Sequence, residues 1–590
     1  MLKSANESEG VSGLTLSVKI GPSGFAYYEN SVEERRQALD AERAERGAGA
    51  EYYGTDAERP GVWIESREGI AALYGVEAGT TGRGREEMAY VIDEAHEHYG
   101  LETVTDKDGF SRTKRSIYDC KNKQFDLTFS LPKSVSAIWA DSPREVRQQI
   151  EALMLEAAQA GLADVAEHGL YVNRGSTPQT QHRIKAEGLL AKAYIETTNR
   201  NGEPQLHTHM VGSTAVRGVD GKWSRVYSRA LYGEARTAAA KSHAVFRALT
   251  HEQLGWEWEP VDIGRGTAEV AGISPERIAS LSTRTKEIDA KLAEVVALET
   301  AVWGEAPSDA AIRAMRQRIT LDTRKTKHQE SHATPAVIDA WREQLDTETG
   351  LSQEQRQAGY QAAWTDIAAG GTVPALDGVG LTVEGAAMQG RASATEAWIR
   401  ATAWKLVPPS TPYADMERVH AELVETAKAE FVALTPPEAV QTGYLTENLA
   451  LFTSRAELDL EHGAVQTVEA TREHAAGVVG VVPLLRVIHG KDAEGRRLDD
   501  EQQAAVAHLC SAGLVKTMEA RAGAGKTFTL AQATRAWQSQ DQLVIVLGNA
   551  ADTSRVAATE IAAATGGTRP ESMTLAAFHG ALRDEVLPDE

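Results

Sequence analysis

At 590 residues the chain is too long for one hydrophobic core, which predicts two to four domains. Its 42% hydrophobic and 25% charged residues are ordinary for globular protein and exclude collagen-like or largely disordered material. The net charge of −22 disfavours a nucleic-acid partner on average, yet residues 101–250 carry 21 Lys and Arg against 16 Asp and Glu. On charge alone, this basic segment is equally well explained as surface variation.

Neither a secretion signal nor a membrane span is predicted. The N-terminus is polar, and the longest apolar run, residues 475–488, is short and carries Pro483 and Arg486. We therefore expect a cytoplasmic protein without membrane insertion. Cys120 and Cys510 have no metal-ligand spacing, so both are predicted to be reduced structural thiols.

The first half of the chain predicts an antiparallel sheet with helices packed on it. Residues 14–20 alternate as in a half-buried strand, and residues 125–130 form another apolar strand. Turn residues at 199–202 and 219–221 divide Ala193–Arg229 into an antiparallel meander, and a long helix follows, capped by Gly255.

The second half is helical before its pattern changes. Charged helices are expected over 260–345, and residues 346–489 predict a helical connector with two Gly- and Pro-rich interruptions, to which we assign no chemistry. From about residue 490 the order is helix, strand (514–520), Gly-rich loop, helix and strand, as in a nucleotide-binding α/β domain.

Two histidines in the predicted meander indicate a metal site. His207 and His209 are two residues apart in a strand, so their side chains lie on the same face. Glu196, on the preceding strand across the turn, is placed to supply a third ligand. The alternative, two solvent-facing histidines on a structural strand, is equally consistent with the bare pattern.

Upstream residues add to this interpretation. Asp126 lies in an apolar strand, where a carboxylate needs a partner, and a metal-bound imidazole commonly donates its free N–H to such a group. An exposed acid at a strand end is the alternative. Two doublets, Tyr27–Tyr28 and Tyr52–Tyr53, read first as packing residues, although a phenol near a dication can also act as a nucleophile.

These motifs together resemble a known family. The tyrosine doublets, "DLTFSLPKSVS", "TTNRNGEPQLHTH" and residues 220–261 occur in the order found in the relaxase domain of TrwC/TraI-type (MOBF) conjugative relaxases, of the HUH nuclease group. The resemblance spans about residues 14–330. It implies an α+β fold in which helices flank an antiparallel sheet. It also implies a protein that nicks one DNA strand at a plasmid transfer origin. A tyrosine becomes linked to the 5′ phosphate and a 3′ hydroxyl is released.

The resemblance also implies roles for individual residues. Tyr27 and Tyr52 match the family's nucleophiles, with Tyr27 as the initiator, and Tyr28 and Tyr53 complete the doublets. Asp126 matches the acid behind a metal-binding histidine, and His207 and His209 match two of the family's three histidines. Glu196 stands where the third is expected. Because a carboxylate suits harder ions, the expected cofactor is Mg²⁺ or Mn²⁺, with Zn²⁺ as an alternative.

A phosphate-binding loop is predicted near the end of the chain. Gly523, Ala524, Gly525, Lys526 and Thr527 form a P-loop for ATP and Mg²⁺, although Ala520 replaces its first glycine. Gln502 resembles the adenine-reading glutamine of superfamily 1 helicases, and the region resembles the start of a RecD-like helicase domain. No apolar strand ending in an Asp-Glu pair follows Thr527, so we expect an incomplete RecA-like lobe without unwinding or ATPase activity.

The predicted domains are a flexible extension (1–13), a relaxase domain (14–345), a helical connector (346–489) and a partial helicase lobe (490–590). The leading prediction is a metal-dependent relaxase acting on single-stranded transfer-origin DNA. The resemblance adds relaxosome accessory proteins and a type IV secretion coupling protein as partners. Two alternatives stay open: a catalytically weakened single-stranded DNA-binding scaffold, and a P-loop ATPase whose histidine strand is structural.

Overall fold

The computed structural model describes most of the chain from residue 123 onward and short segments before it. The described residues are 17–21, 37, 61–81, 103–105, 111–113, 123–175, 177, 179–199, 201–259, 261, 268–303, 307, 309–323, 334–369, 382–492, 495–521, 523–549, 551–565 and 569–583. The predicted extension 1–13 and both tyrosine doublets lie outside them. The chain divides into two compact units, one of Met1–Glu287 with Thr323–Arg455 and one of Ile288–Asp322 with Ala456–Glu590.

A five-stranded antiparallel sheet organises the first unit. Its order is β1-β5-β9-β8-β2. The strands are β1 (Ser17–Gly21), β2 (Val62–Glu65), β5 (Gln124–Ser130), β8 (Leu190–Thr198) and β9 (Pro204–Ser213). The predicted antiparallel sheet is therefore confirmed, and β9, which carries the two histidines, lies at its centre.

Helices cover one face of this sheet. Two long helices, α3 (Arg144–Asp164) and α4 (Ser228–Leu254), pack on it. Helix α4 ends at Gly255, which has a left-handed backbone (φ 65°), as the sequence predicts. Alternate residues of β5 and β9 form a core with these helices, because a strand presents every second side chain to the same face. This core contains Phe125, Leu127, Phe129, Met210, Leu162 and Leu231.

The opposite face is divided between a small core and polar residues. At one end, Trp63, Tyr194 and Val211 pack against the short helix α1 (Ile70–Leu73) and Tyr74. At the other end, the same face carries the histidines and carboxylates described below.

Short ribbons complete the β-structure of the first unit. The pairs are β3 (Thr103–Thr105) with β4 (Ser111–Thr113), β6 (Tyr171–Arg174) with β7 (His182–Lys185), and β10 (Ala215–Arg217) with β11 (Trp223–Arg225). The predicted meander is thus split, since β8 and β9 belong to the central sheet whereas β10 and β11 form their own.

Residues 334–455 also belong to the first unit. A three-stranded sheet that the sequence did not predict lies here, with the order β12 (Ala394–Thr395), β14 (Leu451–Ser454) and β13 (Phe431–Ala433). Buried ion pairs link this region to the sheet-bearing part of the unit: Arg356 donates to Asp141 at 2.6 Å, and Arg400 donates to Glu234 at 2.7 Å.

The remaining helices follow in chain order. They are α2 (Lys133–Asp141), a π-helix (Val165–Gly169), α5 (Pro275–Ser280), α6 (Thr283–Trp303), α7 (Asp309–Asp322), α8 (Pro335–Thr349), α9 (Gln353–Ala368), α10 (Val383–Met388), α11 (Glu396–Leu406), α12 (Met416–Lys428), α13 (Pro437–Gln441), α14 (Arg455–Ala470), α15 (Val481–Ile488), α16 (Asp500–Leu509), α17 (Lys526–Gln538), α18 (Ala551–Thr565) and α19 (Leu575–Arg583), with short 3₁₀ turns at Tyr413–Asp415 and Glu447–Leu449. Across the residues that the structure describes, no helix combines the length and apolarity that a bilayer span requires.

The second unit contains a parallel pair of strands, β15 (Ile545–Gly548) and β16 (Glu571–Thr574), flanked by α17, α18 and α19. The predicted strand over 514–520 is wrong: this segment has no regular secondary structure, and Leu514 and Val515 are 51% and 48% exposed. Apolar composition favours an extended conformation, but a strand also needs a hydrogen-bonded neighbour, and these residues pair with no strand of the described part of the chain.

Candidate metal centre

Adjacent strands bring the predicted ligands together. In the pairing of β8 with β9, Glu196 lies opposite His207 and Tyr194 opposite His209. The turn between the strands is held by the side chain of Asn199, whose Oδ1 accepts from the N–H groups of Asn201 and Glu203 at 2.9 and 3.1 Å. The predicted placement of Glu196 across a turn from the histidines is therefore what the strand register produces.

A buried lysine fixes the start of the histidine strand. Lys133, in the first turn of α2, donates from Nζ to the carbonyl oxygen of Pro204 at 2.6 Å and lies 3.9 Å from Glu203. Burial lowers the pKa of Lys133 to about 8, and the nearby Glu203 carboxylate opposes part of this shift. This contact ties β9 to the helix that follows β5.

Glu196, His207 and His209 form a cluster whose ligand atoms all lie within 4.8 Å of one another. Glu196 Oε2 is 3.2 Å from His207 Nε2 and 3.9 Å from His209 Nε2. Two ligand atoms at right angles, each about 2.1 Å from one ion, are about 3 Å apart. The spacing of this donor set therefore fits a single divalent cation.

Hydrogen bonds to the other ring nitrogens fix how the imidazoles face the cluster. His207 Nδ1 is 2.9 Å from the backbone oxygen of Gln205, and His209 Nδ1 is 3.0 Å from Asp126 Oδ1. Carbonyl and carboxylate oxygens accept, so each Nδ1 carries the proton and each Nε2 presents its lone pair. His207 Nε2 and Glu196 Oε2 are then two acceptors in contact, which requires either a second proton on the imidazole or a cation shared by both groups.

Thr128 is part of this arrangement, although the sequence analysis did not single it out. It lies opposite His209 on β5, and its Oγ1 is 3.0 Å from His209 Nδ1 and 3.4 Å from Asp126 Oδ1. The hydroxyl can donate to the carboxylate while it accepts from the imidazole. Asp126 and Thr128 thus bind Nδ1 of His209, the nitrogen that faces away from the cluster, and such contacts orient metal-binding histidines.

The predicted nucleotide-binding residues lie around one helix start in the second unit. Gly523 and Gly525 have positive φ angles of 80° and 78°, and Gly525 caps α17. Lys526 donates from Nζ to the backbone oxygens of Ala520 and Arg521 at 2.7 and 3.2 Å. The loop thus has glycines where the backbone needs them, and its lysine is bonded to loop carbonyls.

Gln502 lies beside the same loop. Its side chain completes the capping box of α16 with Asp499, and its Nε2 donates to the oxygen of Ala524 at 3.4 Å. A Cβ at position 525 would lie 2.7 Å from Gln502 Nε2 and displace that side chain, and the φ of 78° at Gly525 independently favours glycine. Ala524 and Thr527 complete the predicted set in sequence, and the functions of all these residues stay predictions.

Two protein-family models match the chain, one over each of the regions that contain these sites. Residues 23–347, more than half of the chain, match the model of the TrwC relaxase. The chain belongs to the TrwC relaxase family. The predicted resemblance is confirmed, and the metal-ligand cluster and all strands of the central sheet except β1 lie inside the matched range. Residues 497–586 match an AAA domain, which agrees with the predicted nucleotide-binding type of the second unit.

The relaxase-family match is accompanied by similar individual proteins. The multifunctional conjugation protein TraI of Escherichia coli is 29% identical over 291 residues, and that of strain K12 is 28% identical over 291 residues. Each alignment covers 45% of this chain and 15% of the relative, so the chain spans a small part of the curated relatives that it matches.

Solved structures of the conjugative relaxase TrwC in complex with oriT DNA also align with the chain. A metal-free and a metal-bound structure are each 20% identical to it, with TM-scores of 0.37 and 0.38. Both alignments cover 57% of this chain and 99% of the TrwC chain.

Proposed function

We propose that this protein is a conjugative relaxase that nicks one strand of transfer-origin DNA by tyrosine transesterification. The observation that carries the proposal is the cluster of Glu196, His207 and His209, whose ligand atoms lie within 4.8 Å of one another, within a chain of the TrwC relaxase family. These groups make a donor set suited to a divalent ion. The resemblance to relaxases of known chemistry supplies the reaction.

The residues divide the work of this reaction. A bound divalent ion supplies charge neutralisation at the scissile phosphate. Glu196, His207 and His209 hold that ion, while Asp126 and Thr128 keep the His209 ring turned toward it. The phenol of the attacking tyrosine loses its proton and its oxygen forms an ester with the 5′ phosphate. The bond from phosphorus to the 3′ oxygen breaks, and that oxygen takes up a proton, so no net proton is gained or lost. Since one ester replaces another, the reverse reaction can rejoin the strand.

The proposed nucleophiles come from the family match. We assign initiation to Tyr27 and a second transfer to Tyr52, with Tyr28 and Tyr53 as their neighbours. Compared with three imidazoles, a donor set with one carboxylate shifts the preference toward harder ions, and we propose Mg²⁺ or Mn²⁺ as the cofactor, with Zn²⁺ as the alternative.

A denaturing gel of a labelled single-stranded origin oligonucleotide, incubated with protein and Mn²⁺, tests this proposal. A protein-linked product should form, and Tyr27→Phe should lose it. Tyr413→Phe, which changes a tyrosine that is 38% exposed on a 3₁₀ turn, is the matched control and should retain the product. An undiminished product in a variant lacking all four doublet tyrosines would refute tyrosine transesterification.

A second candidate function is a single-stranded DNA-binding scaffold with weakened catalysis. The observation that favours it is Glu196, which adds a negative charge where the family resemblance implies a third, neutral imidazole. In the same gel, strand binding without cleavage in Mg²⁺, Mn²⁺ or Zn²⁺ would select this function.

For the second unit we propose binding of ATP with Mg²⁺ at the P-loop, supported by the positive φ angles of Gly523 and Gly525 and by the AAA match. Lys526→Ala should abolish the binding of a fluorescent ATP analogue, and rapid ATP turnover by the wild type would instead support the P-loop ATPase alternative.

We further propose that the relaxase reaction takes place in the cytoplasm and involves relaxosome accessory proteins and a secretion coupling protein. Pull-down of these proteins from donor cells is the test.

A further inference from the structure

Three cationic side chains surround one indole ring on the first unit. The charged groups of Arg236, Arg391 and Lys405 lie 5.1, 4.5 and 4.7 Å from the ring centroid of Trp398. They come from α4, from the turn before β12 and from α11, respectively. Trp398 is partly buried, and its Nε1 donates to the backbone oxygen of Ala387 at 2.9 Å. The indole is thus anchored and gathers cations from three separate elements.

The same surface continues along α4. Arg229, Tyr232 and Arg236 are spaced i, i+3 and i+7 and therefore share one face of the helix. Arg229 is exposed, and Tyr232 is 40% exposed, so its ring is accessible. We call the set Arg229, Tyr232, Arg236, Trp398, Arg391 and Lys405 the cationic stripe.

Acidic side chains on these elements are turned inward. In the first three turns of α4, the acid is Glu234, which is fully buried and accepts from Arg400 and Asn448 at 2.7 and 3.1 Å. On α11 the acid is Glu396, which is 5% exposed and lies 2.9 Å from Lys428 Nζ. The charges that these elements present outward along the stripe are therefore positive, on a chain whose net charge is −22.

The shape of the stripe favours a linear polyanion over a single small anion. Arg229 and Arg236 are about 10 Å apart along the helix axis, and Arg391 and Lys405 add two further cations around the indole that Arg236 contacts. Single-stranded nucleic acid combines a charged backbone with bases that stack on aromatic rings, and proteins that bind it alternate cationic and aromatic side chains in this way.

We propose that the cationic stripe binds single-stranded DNA outside the nuclease site. Arg236, Arg391 and Lys405, oriented by Trp398, contact backbone phosphates, and Tyr232 offers a stacking surface to a base. The proposal rests on the relaxase function in one respect, that this reaction provides a free single strand near the protein. A second anionic partner, an acidic protein segment, would use the charges but not the Tyr232 ring.

Fluorescence anisotropy of a labelled 30-nucleotide thymidine oligomer tests the stripe on the full chain. An oligomer without the origin sequence, in EDTA, removes origin recognition and cleavage from the measurement. The double variant R391A/K405A should weaken binding at least about threefold and reduce the slope of log Kd against log salt by about 1.4, since each lost single-strand phosphate contact contributes about 0.7. Tyr232→Ala should weaken binding without a change in the salt slope.

Arg418→Ala is the matched control. Arg418 is an exposed arginine on α12 that is held by Asp415 and Glu422, so its loss removes one surface charge outside the stripe. The proposal would be overturned if R391A/K405A bound the oligomer with wild-type affinity and wild-type salt slope. It would also be overturned if R418A lost as much affinity as R391A/K405A. Loss in R391A/K405A with no effect of Tyr232→Ala would support the phosphate contacts and overturn the stacking role of Tyr232. The covalent product at the origin is measured separately, so a protein that binds but does not cleave refutes the relaxase function and not the stripe.

Discussion

Replacement of Glu196 by histidine should change the metal preference of the site. In the structure, Glu196 Oε2 faces both Nε2 atoms, at 3.2 and 3.9 Å, so it is placed to bind the same ion directly. A carboxylate and a dication about 2.1 Å apart attract each other by about 4 kcal/mol even at the dielectric constant of water. An imidazole recovers more of this loss with Zn²⁺ than with Mn²⁺, because nitrogen ligands suit the softer ion.

For Glu196→His we therefore expect at least a tenfold loss of Mn²⁺ affinity, about 1.4 kcal/mol, with little change for Zn²⁺. Isothermal titration calorimetry gives the Mn²⁺ affinity, and competition with a chromophoric chelator gives that of Zn²⁺. Glu68→His, the same substitution at an exposed turn residue, is the control for adventitious binding by an added histidine. An unchanged ratio of the two affinities in Glu196→His would refute direct ligation by Glu196.

Three further outcomes follow from the structure. Thr128→Val should weaken Mn²⁺ affinity about tenfold, as measured by titration calorimetry, because a group that orients a metal ligand typically contributes that much. Thr128→Ser should keep the affinity. Thr208→Val, which removes a buried hydroxyl that has no hydrogen-bond partner, is the control and should also keep it. Arg356→Ala should lower the free energy of unfolding by about 3–5 kcal/mol, because it leaves the fully buried Asp141 without its partner, and a denaturant midpoint equal to that of the wild type would contradict this. Burial lowers the pKa of His420 to about 4, so the native imidazole stays neutral while the unfolded one binds a proton. The contribution of His420 to the free energy of unfolding should then fall as pH drops from about 6.5 to about 4, by at most about 3 kcal/mol. His420→Gln should make the slope shallower in pH-dependent denaturation without abolishing it, because burial also lowers the pKa of His168 and His243.

The sequence predicted the parts of the site that follow from local periodicity. The two-residue spacing of His207 and His209 placed both on one face of a strand, and the turn before β9 placed Glu196 opposite. Thr128 was missed because threonine is common in strands, and its role appears only when β5 pairs with β9. Register between strands that are about eighty residues apart is not encoded in a local pattern.

Two other differences have a related physical origin. The strands β12, β13 and β14 contain two to four residues, too few to show a period. They are stabilised by pairing between residues that are distant in the chain, from Ala394 to Phe452 for β12 with β14 and from Phe431 to Ser454 for β13 with β14. Residues 514–520 are the reverse case: their composition is typical of a strand, but they pair with no strand among the described residues. In both cases a tertiary hydrogen-bond partner, which composition does not reveal, decides whether a strand forms.

The charges at the metal centre have a consequence for DNA binding. With two neutral imidazoles, Glu196 and Asp126 together carry a formal charge that balances a dication, so the loaded site has no excess positive charge to attract a phosphate from a distance. We therefore expect Mn²⁺ or Mg²⁺ to be held more firmly than by three imidazoles, and the loaded site to attract DNA less at long range. On a chain of net charge −22, affinity for the strand must then come from Lys and Arg side chains outside the centre. Binding should therefore be steeply salt-dependent with or without the metal.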